Sequence, residues 1–139
     1  MSVAFSLTEG QDGKRSDEAT IGEVAREFAV SLRTLRFYED RGLLRPRRHG
    51  PSRFYTPADR ALLRIILKGK QLGFTLTEIR ALIDAAPDRG AEIEERLNAQ
   101  QIEEQIGHLE RQRGEIDTAI ACLRAAQRRR DGVQSIVSA

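Results

Sequence analysis

Apolar residues recur at every third or fourth position in the first patterned segment of the chain, with polar residues between them. The apolar positions are Ile21, Val24, Ala25 and Phe28. This spacing predicts a short helix with one buried face. Thr20 and Glu23 stand three residues apart, as in a capping box, so we expect the helix to begin after Thr20 and to end near Phe28.

A second short helix is predicted directly afterwards. Ser31 is a favoured N-cap, and Gly42 is predicted to cap the C-terminus. Leu32, Leu35 and Phe37 are expected to face the core. Two short helices joined by a tight turn are typical of proteins that place the second helix in the major groove of DNA.

The polar side of this second helix is rich in arginine. Arg33 lies near its start, where a side chain reaches base edges or nearby phosphates. Arg36 and Tyr38 can donate to phosphate oxygens, which fixes the register of a protein on the duplex. The alternative is a solvated face whose arginines pair with Glu39 and Asp40.

Residues 43–55 change in character and predict a β-hairpin wing. Two short β-like ends, 43–45 and 53–55, flank a turn that contains Pro46, Gly50 and Pro51. Four arginines surround this turn: Arg45, Arg47, Arg48 and Arg53. We expect the wing to lie on the phosphate backbone, while a basic loop kept soluble by its charge is the alternative. Tyr55 either donates to a phosphate or closes the hairpin onto the core.

Two further helices and a long one complete the pattern. Thr56, Pro57 and Asp59 predict the start of a third helix that runs toward Leu72, and Thr75 with Glu78 predicts a fourth. The apolar positions of these two helices are Leu62, Leu63, Ile66, Leu67, Leu76, Ile79, Leu82 and Ile83. A hinge is expected at Pro87 and Gly90.

From Ala91 to about Arg130 strong helix formers dominate, which predicts a helix roughly 60 Å long. Its apolar residues follow heptad spacing: Ile102, Ile106, Leu109, Ile116, Ile120 and Leu123. Ile93 and Leu97 are out of phase with this seam. A single helix cannot bury such a stripe alone, so a second copy of the chain is the expected partner.

The distribution of charge supports a division of the chain into two modules. Between Thr20 and Gly73 twelve Lys and Arg residues stand against five acids, whereas the whole 139-residue chain carries only +2. A basic module joined to a mildly acidic one indicates nucleic acid for the first and a protein partner for the second. We therefore expect a flexible arm at 1–19, a DNA-binding domain at 20–86, a dimerisation helix at 87–131 and a flexible tail at 132–139.

Nothing in the sequence favours an enzyme or a metal site. Cys122 is the only cysteine, so no disulfide can form within the chain, as suits a reducing cytoplasm. A structural thiol is the expected role of Cys122, since neither His49 nor His108 has a partner at ligand spacing. No signal peptide or membrane-spanning segment is evident, and no cofactor is expected.

Four motifs together resemble the MerR family of bacterial transcription regulators. They are Ile21-Gly22-Glu23-Val24-Ala25, Arg33-Thr34-Leu35-Arg36-Phe37-Tyr38-Glu39, Arg53-Phe54-Tyr55-Thr56 and Leu72-Gly73-Phe74-Thr75-Leu76-Thr77-Glu78-Ile79. The likeness is close over residues 20–84 and loose along the long helix. It implies a mainly α fold, in which a winged helix-turn-helix domain precedes a long antiparallel coiled-coil helix that forms a homodimer.

The resemblance also implies a mode of action. Family members bind inverted repeats in promoters whose spacer is too long, and they distort this DNA so that RNA polymerase engages both elements. The resulting set of predicted DNA-contacting residues is Ser31, Arg33, Thr34, Arg36, Tyr38, Arg47, Arg48, Arg53 and Tyr55.

The chain departs from the metal-sensing members, because residues 91–97 contain no cysteine and the chain ends soon after the long helix. Residues 67–74 are most similar to a subgroup that controls amino-acid or acyl-CoA catabolism genes. The effector, the target genes and the choice between activation and repression stay open. A coiled-coil scaffold protein with a basic nucleic-acid-docking module is the alternative function.

Overall fold

Reciprocal hydrogen bonds open three of the helices, as the threonine–acid pairs in the sequence predict. In the computed structural model, which describes residues 14–85 and 91–138, the Thr20 hydroxyl accepts from the Glu23 N–H and the Glu23 carboxylate accepts from the Thr20 N–H, each at 3.2 Å. The same two bonds join Thr56 to Asp59 and Thr75 to Glu78. These local bonds satisfy N–H groups that a helix start otherwise leaves unpaired.

The described elements are, in chain order, β1 (Ala19–Thr20), α1 (Ile21–Phe28), α2 (Leu32–Asp40), β2 (Arg47–His49), β3 (Ser52–Tyr55), α3 (Pro57–Gln71), α4 (Leu76–Ala85), a 3₁₀ helix (Ile93–Arg96) and α5 (Ala99–Ser138). The predicted mainly helical fold, with a winged helix-turn-helix and a long C-terminal helix, is confirmed. The predicted hinge at Pro87 and Gly90 lies outside the described residues, as do residues 1–13 of the predicted arm.

The contacts divide the chain into two units on either side of the Arg96–Leu97 bond. In the first unit, the three strands form an antiparallel sheet in the order β1-β3-β2. Ala19 lies opposite Tyr55, and Arg48 lies opposite Arg53. The hairpin between β2 and β3 is the predicted wing.

The start of this sheet corrects the predicted arm. Glu18 and Ala19, which we expected to be flexible, are buried, and Ala19 begins a strand that pairs with β3. The reason is long-range: Arg47, 29 residues further along the chain, donates two hydrogen bonds of 3.0 Å to the Glu18 carboxylate. No local pattern around Glu18 reveals that partner.

The core of the first unit lies between the short helices, β3 and α3. Its fully buried side chains are Val24, Leu35, Leu44, Phe54, Tyr55, Leu63, Ile66, Ile79 and Ile93. Gly69 of α3 allows Ile79 and Ile93 to approach the helix closely, since a Cβ built there would lie 2.7 Å from Ile79 Cγ1 and 2.8 Å from Ile93 Cδ1. The burial of Ile93 explains why it is out of phase with the seam of the long helix.

The second unit is α5, a helix of 40 residues. It begins at Ala99 and not at Ala91, because Asn98 caps it: the Asn98 side chain accepts from the Gln101 N–H at 2.8 Å. The helix also continues through residues 132–138, which we assigned to a flexible tail; no proline interrupts it there. All six predicted seam residues are exposed on the single chain: Ile102, Ile106, Leu109, Ile116, Ile120 and Leu123.

Candidate nucleic-acid interface

The turn between α1 and α2 sets the position of the second helix. Ala29 adopts a left-handed conformation with φ 54°, and the Val30 N–H bonds to the Ala25 carbonyl at 3.0 Å. This arrangement closes α1 in the manner of a Schellman motif and turns the chain sharply. Ser31 then caps α2 by accepting from the Thr34 N–H at 3.0 Å.

The inward side of α2 is defined by two residues, Leu35 and Tyr38, and both are buried. Burial raises the pKa of the Tyr38 phenol above its ordinary value, so this group stays neutral and can act only as a hydrogen-bonding group. Tyr38 was predicted to contact DNA. The structure makes it mainly a core residue, because its ring packs inward beside Leu35.

The outward side of α2 carries Arg33 and Arg36, which are both exposed as predicted. Phe37 shares this side, and its exposure of 43% corrects the prediction that it faces the core. The Arg41 guanidinium lies over the Phe37 ring at 4.9 Å, which covers part of the aromatic face. Leu32 is likewise exposed, although it was predicted to face the core.

The end of α2 is fixed by backbone geometry one residue away from the predicted position. Arg41 is the C-cap, and Gly42 follows it with φ 73°. The Gly42 N–H bonds to the Glu39 carbonyl and the Leu43 N–H to the Tyr38 carbonyl, each at 2.9 Å. Glycine meets the left-handed conformation here without a Cβ clash, and the chain then leads into the wing.

The side chains of Ser31 and Thr34 are hydrogen-bonded to each other. Their hydroxyl oxygens are 2.8 Å apart, and the Ser31 hydroxyl also accepts the Thr34 N–H. Both therefore have a capping function in the isolated chain, which the N-cap pattern of the sequence predicts. Ser31 is exposed at the start of α2, where helix N-termini favour negatively charged groups.

The predicted wing arginines differ in their surroundings. Arg48 is exposed, whereas Arg47 forms an ion pair with the buried Glu18 carboxylate, with Nε 3.0 Å from Oε2. The Arg47 guanidinium also lies over the Phe54 ring at 5.0 Å. The hydrogen bonds from Arg47 hold the pKa of Glu18 below its ordinary value of 4.5 despite the opposing effect of burial. Arg47 thus fastens the wing to β1, and its predicted DNA contact stays a prediction.

Arg53 faces the end of α2. Its Nε lies 3.0 Å from Oε2 of Glu39, whose side chain is only 4% exposed, while the Arg53 side chain keeps 23% exposure. Tyr55 is fully buried, and burial raises its pKa well above the ordinary value, with the charge of Glu39 acting in the same direction. For Tyr55 the structure favours closure of the hairpin onto the core over a phosphate contact, because its hydroxyl is buried.

The structure thus separates the predicted set. Ser31, Arg33, Arg36 and Arg48 are exposed, Thr34 and Arg53 are partly accessible, and Arg47, Tyr38 and Tyr55 have roles within the fold. Sequence reasoning missed Glu39, which it treated only as a partner for surface arginines. Its position four residues after the buried Leu35, on the same face of α2, is the sequence signal that could have indicated burial.

Within 14–85 and 91–138, no group of three His, Cys, Asp or Glu side chains has an arrangement that would hold a metal ion. Over those ranges no helix combines the length and apolar character that crossing a bilayer requires. Cys122 lies exposed on α5.

Comparison with known proteins identifies the pattern. Residues 19–86 match the family model described as MerR HTH family regulatory protein, and residues 60–126 match the model described as MerR, DNA binding. The two matches overlap along α3 and α4 and together extend well into α5.

Individual relatives agree with these matches. The chain is 36% identical over 104 residues to the HTH-type transcriptional activator TipA of Streptomyces coelicolor, which covers 73% of this chain and 40% of TipA. It is 37% identical over 70 residues to the regulator HmrR of Rhizobium leguminosarum, which covers 50% of this chain and 54% of HmrR. The chain therefore spans about half, or less, of these two relatives.

A solved structure gives the same result at the level of the fold. A MerR family transcriptional regulator from Bacillus cereus superposes with a TM-score of 0.61 at 31% identity, and the match covers 75% of each chain. Over that share of the chain, the fold is thus common to a protein of known structure.

Proposed function

The chain belongs to the MerR family of helix-turn-helix transcriptional regulators, and from this premise we propose that it binds an inverted repeat in promoter DNA as a homodimer and controls transcription initiation. The family consists of regulators and not of enzymes. The single observation that carries the proposal is the outward face of α2, where Arg33 and Arg36 are exposed opposite a buried inner face.

Recognition by α2 follows from the size of the major groove, which admits one α-helix. With Leu35 against the core, the guanidiniums of Arg33 and Arg36 lie on the side that a duplex would meet. Bidentate arginine contacts to guanine are a common means of base readout, while contacts to phosphates set position. The exposed Arg48 of the wing supplies a second basic contact beside the groove.

Dimerisation is proposed through α5. Six apolar side chains at heptad spacing are exposed on the single chain, an arrangement that a 40-residue helix stabilises by pairing. In an antiparallel pair with a second copy, the two α5 helices begin at opposite ends of the pair. Two copies related by a twofold axis match an inverted repeat, because protein and operator then share the same symmetry.

One pair of helices would hold the two DNA-binding domains on the two half-sites of the operator. This arrangement favours recognition of the DNA sequence by deformation as well as by direct contact. Bending or untwisting the spacer is an energetic cost that depends on the sequence being deformed. We propose that this distortion aligns the promoter elements for RNA polymerase in the cytoplasm. The controlled genes belong, in this proposal, to amino-acid or acyl-CoA catabolism, following the likeness of residues 67–74.

The proposal is tested with DNA from upstream of the chain's own gene. Fluorescence anisotropy at physiological salt should show tighter binding to this duplex than to a scrambled duplex of the same length and composition. The logarithm of the binding constant should fall linearly with the logarithm of salt, by about 0.9 per phosphate contact. Nuclease footprinting should show two protected half-sites related by a dyad. Equal affinity for both duplexes would reject a sequence-specific regulator and favour the scaffold alternative.

A further inference from the structure

A buried polar cluster joins the recognition helix to the wing. It consists of Glu39 at the end of α2 and of Arg53 and Tyr55 on β3. Both Glu39 carboxylate oxygens, Arg53 Nε and the Tyr55 hydroxyl are buried, and none of them makes a hydrogen bond to another residue in the described part of the chain. The 3.0 Å approach of Arg53 Nε to Glu39 Oε2 is therefore an ion pair without hydrogen-bond alignment.

Buried polar atoms of this kind are rare in folded proteins and call for an explanation. A hydrophobic residue at position 39 would avoid the desolvation of a carboxylate, so stability alone does not account for Glu39. The cluster lies between the two elements that are proposed to contact DNA. A function in holding these elements relative to each other explains its position.

The charge pattern of the wing adds a second argument. Arg48 and Arg53 lie directly opposite each other in the antiparallel pairing of β2 and β3, so their side chains project from the same face of the hairpin. Two like charges in this relation repel each other and destabilise the pairing. The Glu39 carboxylate approaches one of them, Arg53, from α2 and offsets this repulsion.

The Arg53 side chain is partly buried and partly exposed. Its Nε is buried against Glu39, yet 23% of the side chain is exposed, so the exposed part lies on other atoms of the side chain. A guanidinium has five N–H donors, and the pair with Glu39 uses only one side of this fork. The terminal nitrogens keep donors for a second anion.

We propose that Glu39 is a positioning residue for DNA binding: its carboxylate holds the Arg53 guanidinium between α2 and the wing, so that the terminal nitrogens of Arg53 bind a backbone phosphate beside the groove that α2 occupies. This inference rests on the proposed function. Glu39 itself does not touch the DNA. Arg53 contacts the phosphate, and Glu39 determines where that contact is made.

The sign of the effect separates this role from a general electrostatic one. Removing a negative charge from a DNA-binding surface ordinarily strengthens binding, because the protein field becomes more positive. Glu39→Gln should instead weaken binding by about tenfold, the loss expected when a charged hydrogen bond to phosphate is no longer held in place. Asp40→Asn is the matched control, since it removes the same charge from the next, exposed residue of α2 and should leave affinity unchanged or raise it.

The experiment uses the full chain and a duplex that the wild-type protein selects from a random-sequence pool. Affinity is measured by anisotropy across a salt series for wild type, Glu39→Gln, Asp40→Asn, Arg53→Ala and the double variant Glu39→Gln/Arg53→Ala. We expect the salt slope to fall by about one for Arg53→Ala and for Glu39→Gln, but not for Asp40→Asn. In the double variant, the Glu39 change should cause no further loss.

Several results would overturn the inference. If the Glu39→Gln variant binds DNA as Asp40→Asn does, Glu39 does not act through Arg53. The same conclusion follows if Glu39→Gln weakens binding equally with Arg53 present and absent. If Glu39→Gln does not fold, Glu39→Asp keeps the net charge and withdraws the carboxylate by one methylene, and a wild-type affinity and slope would then refute the proposal. Failure of the wild-type protein to select any duplex would instead reject the proposed function itself.

Discussion

Gly69 offers a sharp test of how closely α3, α4 and the 3₁₀ helix pack. In Gly69→Ala, the new Cβ would lie 2.7 Å from Ile79 Cγ1 and 2.8 Å from Ile79 Cδ1 and Ile93 Cδ1. Carbon atoms prefer separations of about 3.5–4.0 Å, so both isoleucines must move by close to 1 Å. Overpacking of this kind costs about 1–3 kcal/mol, while alanine gains up to about 1 kcal/mol over glycine within a helix. We expect a net loss of about 1 kcal/mol in the free energy of unfolding.

The assay is urea unfolding followed by tyrosine fluorescence. The chain has two tyrosines and no tryptophan, and both tyrosines, Tyr38 and Tyr55, are buried in the first unit, so the signal reports that unit alone. Gly22→Ala in α1 is the matched control, because the nearest atom to its added Cβ is 4.0 Å away. This control should be neutral or stabilising by up to about 1 kcal/mol.

A double-mutant cycle assigns the cost to the named contact. Ile79→Val removes Cδ1, one of the atoms nearest the added methyl group, so Gly69→Ala should cost less in that background. The packing argument is refuted if Gly69→Ala behaves like Gly22→Ala, or if its cost is the same with Ile79 and with valine at that position.

Three further predictions concern DNA binding, dimerisation and pH. Arg36→Ala should weaken DNA binding by about 1–3 kcal/mol in anisotropy measurements and change the free energy of unfolding by less than about 0.5 kcal/mol, as for other exposed sites; a large loss of stability would make Arg36 structural. Ile116→Asp should convert the dimer to a monomer in gel filtration at micromolar concentration, whereas Thr118→Asp on the opposite side of α5 should not, and a monomeric wild type would refute the coiled coil. Hydrogen bonds from Arg47 lower the pKa of Glu18 in the folded state below 4.5. The ionised Glu18 carboxylate therefore stabilises the fold fully above pH 4.5, and this stabilisation is lost as the pH falls through the folded-state pKa. Glu18→Gln should therefore lose stability less steeply than wild type in acid unfolding curves, and identical curves would contradict this account.

The elements that could be predicted from sequence are those fixed by neighbours in the chain. Thr56 and Asp59 open a helix because their bonds span three residues, and such bonds are readable as a pattern. The start of α5 was missed although Asn98 and Gln101 form a comparable pair, because a continuous run of helix formers obscured it. The sequence shows that Ile93 is out of phase with the heptad seam. Its packing against Gly69 depends on contacts that no local pattern encodes.

The candidate site shows the same limit more clearly. Sequence identifies which residues carry positive charge, but a guanidinium's availability to DNA depends on which carboxylate reaches it first. Glu18 binds Arg47 across 29 residues, and Glu39 approaches Arg53 from a different element. Both acids are nearly fully buried. Breaking either ion pair would therefore leave a buried carboxylate without a partner, which is energetically costly.

This division of the arginines bears on how the surface recognises DNA. An exposed arginine such as Arg33 or Arg36 loses side-chain entropy when it binds, since its rotamers are free beforehand. An arginine held by a buried acid has already lost that freedom on folding, so each hydrogen bond it then makes to phosphate is less costly. Arg53, with one edge against Glu39 and part of its side chain exposed, is of this second kind. Adaptable arginines on α2 together with a preorganised one on the wing would let the wing hold the phosphate backbone in register while α2 samples base edges, so different residues set the position and read the sequence.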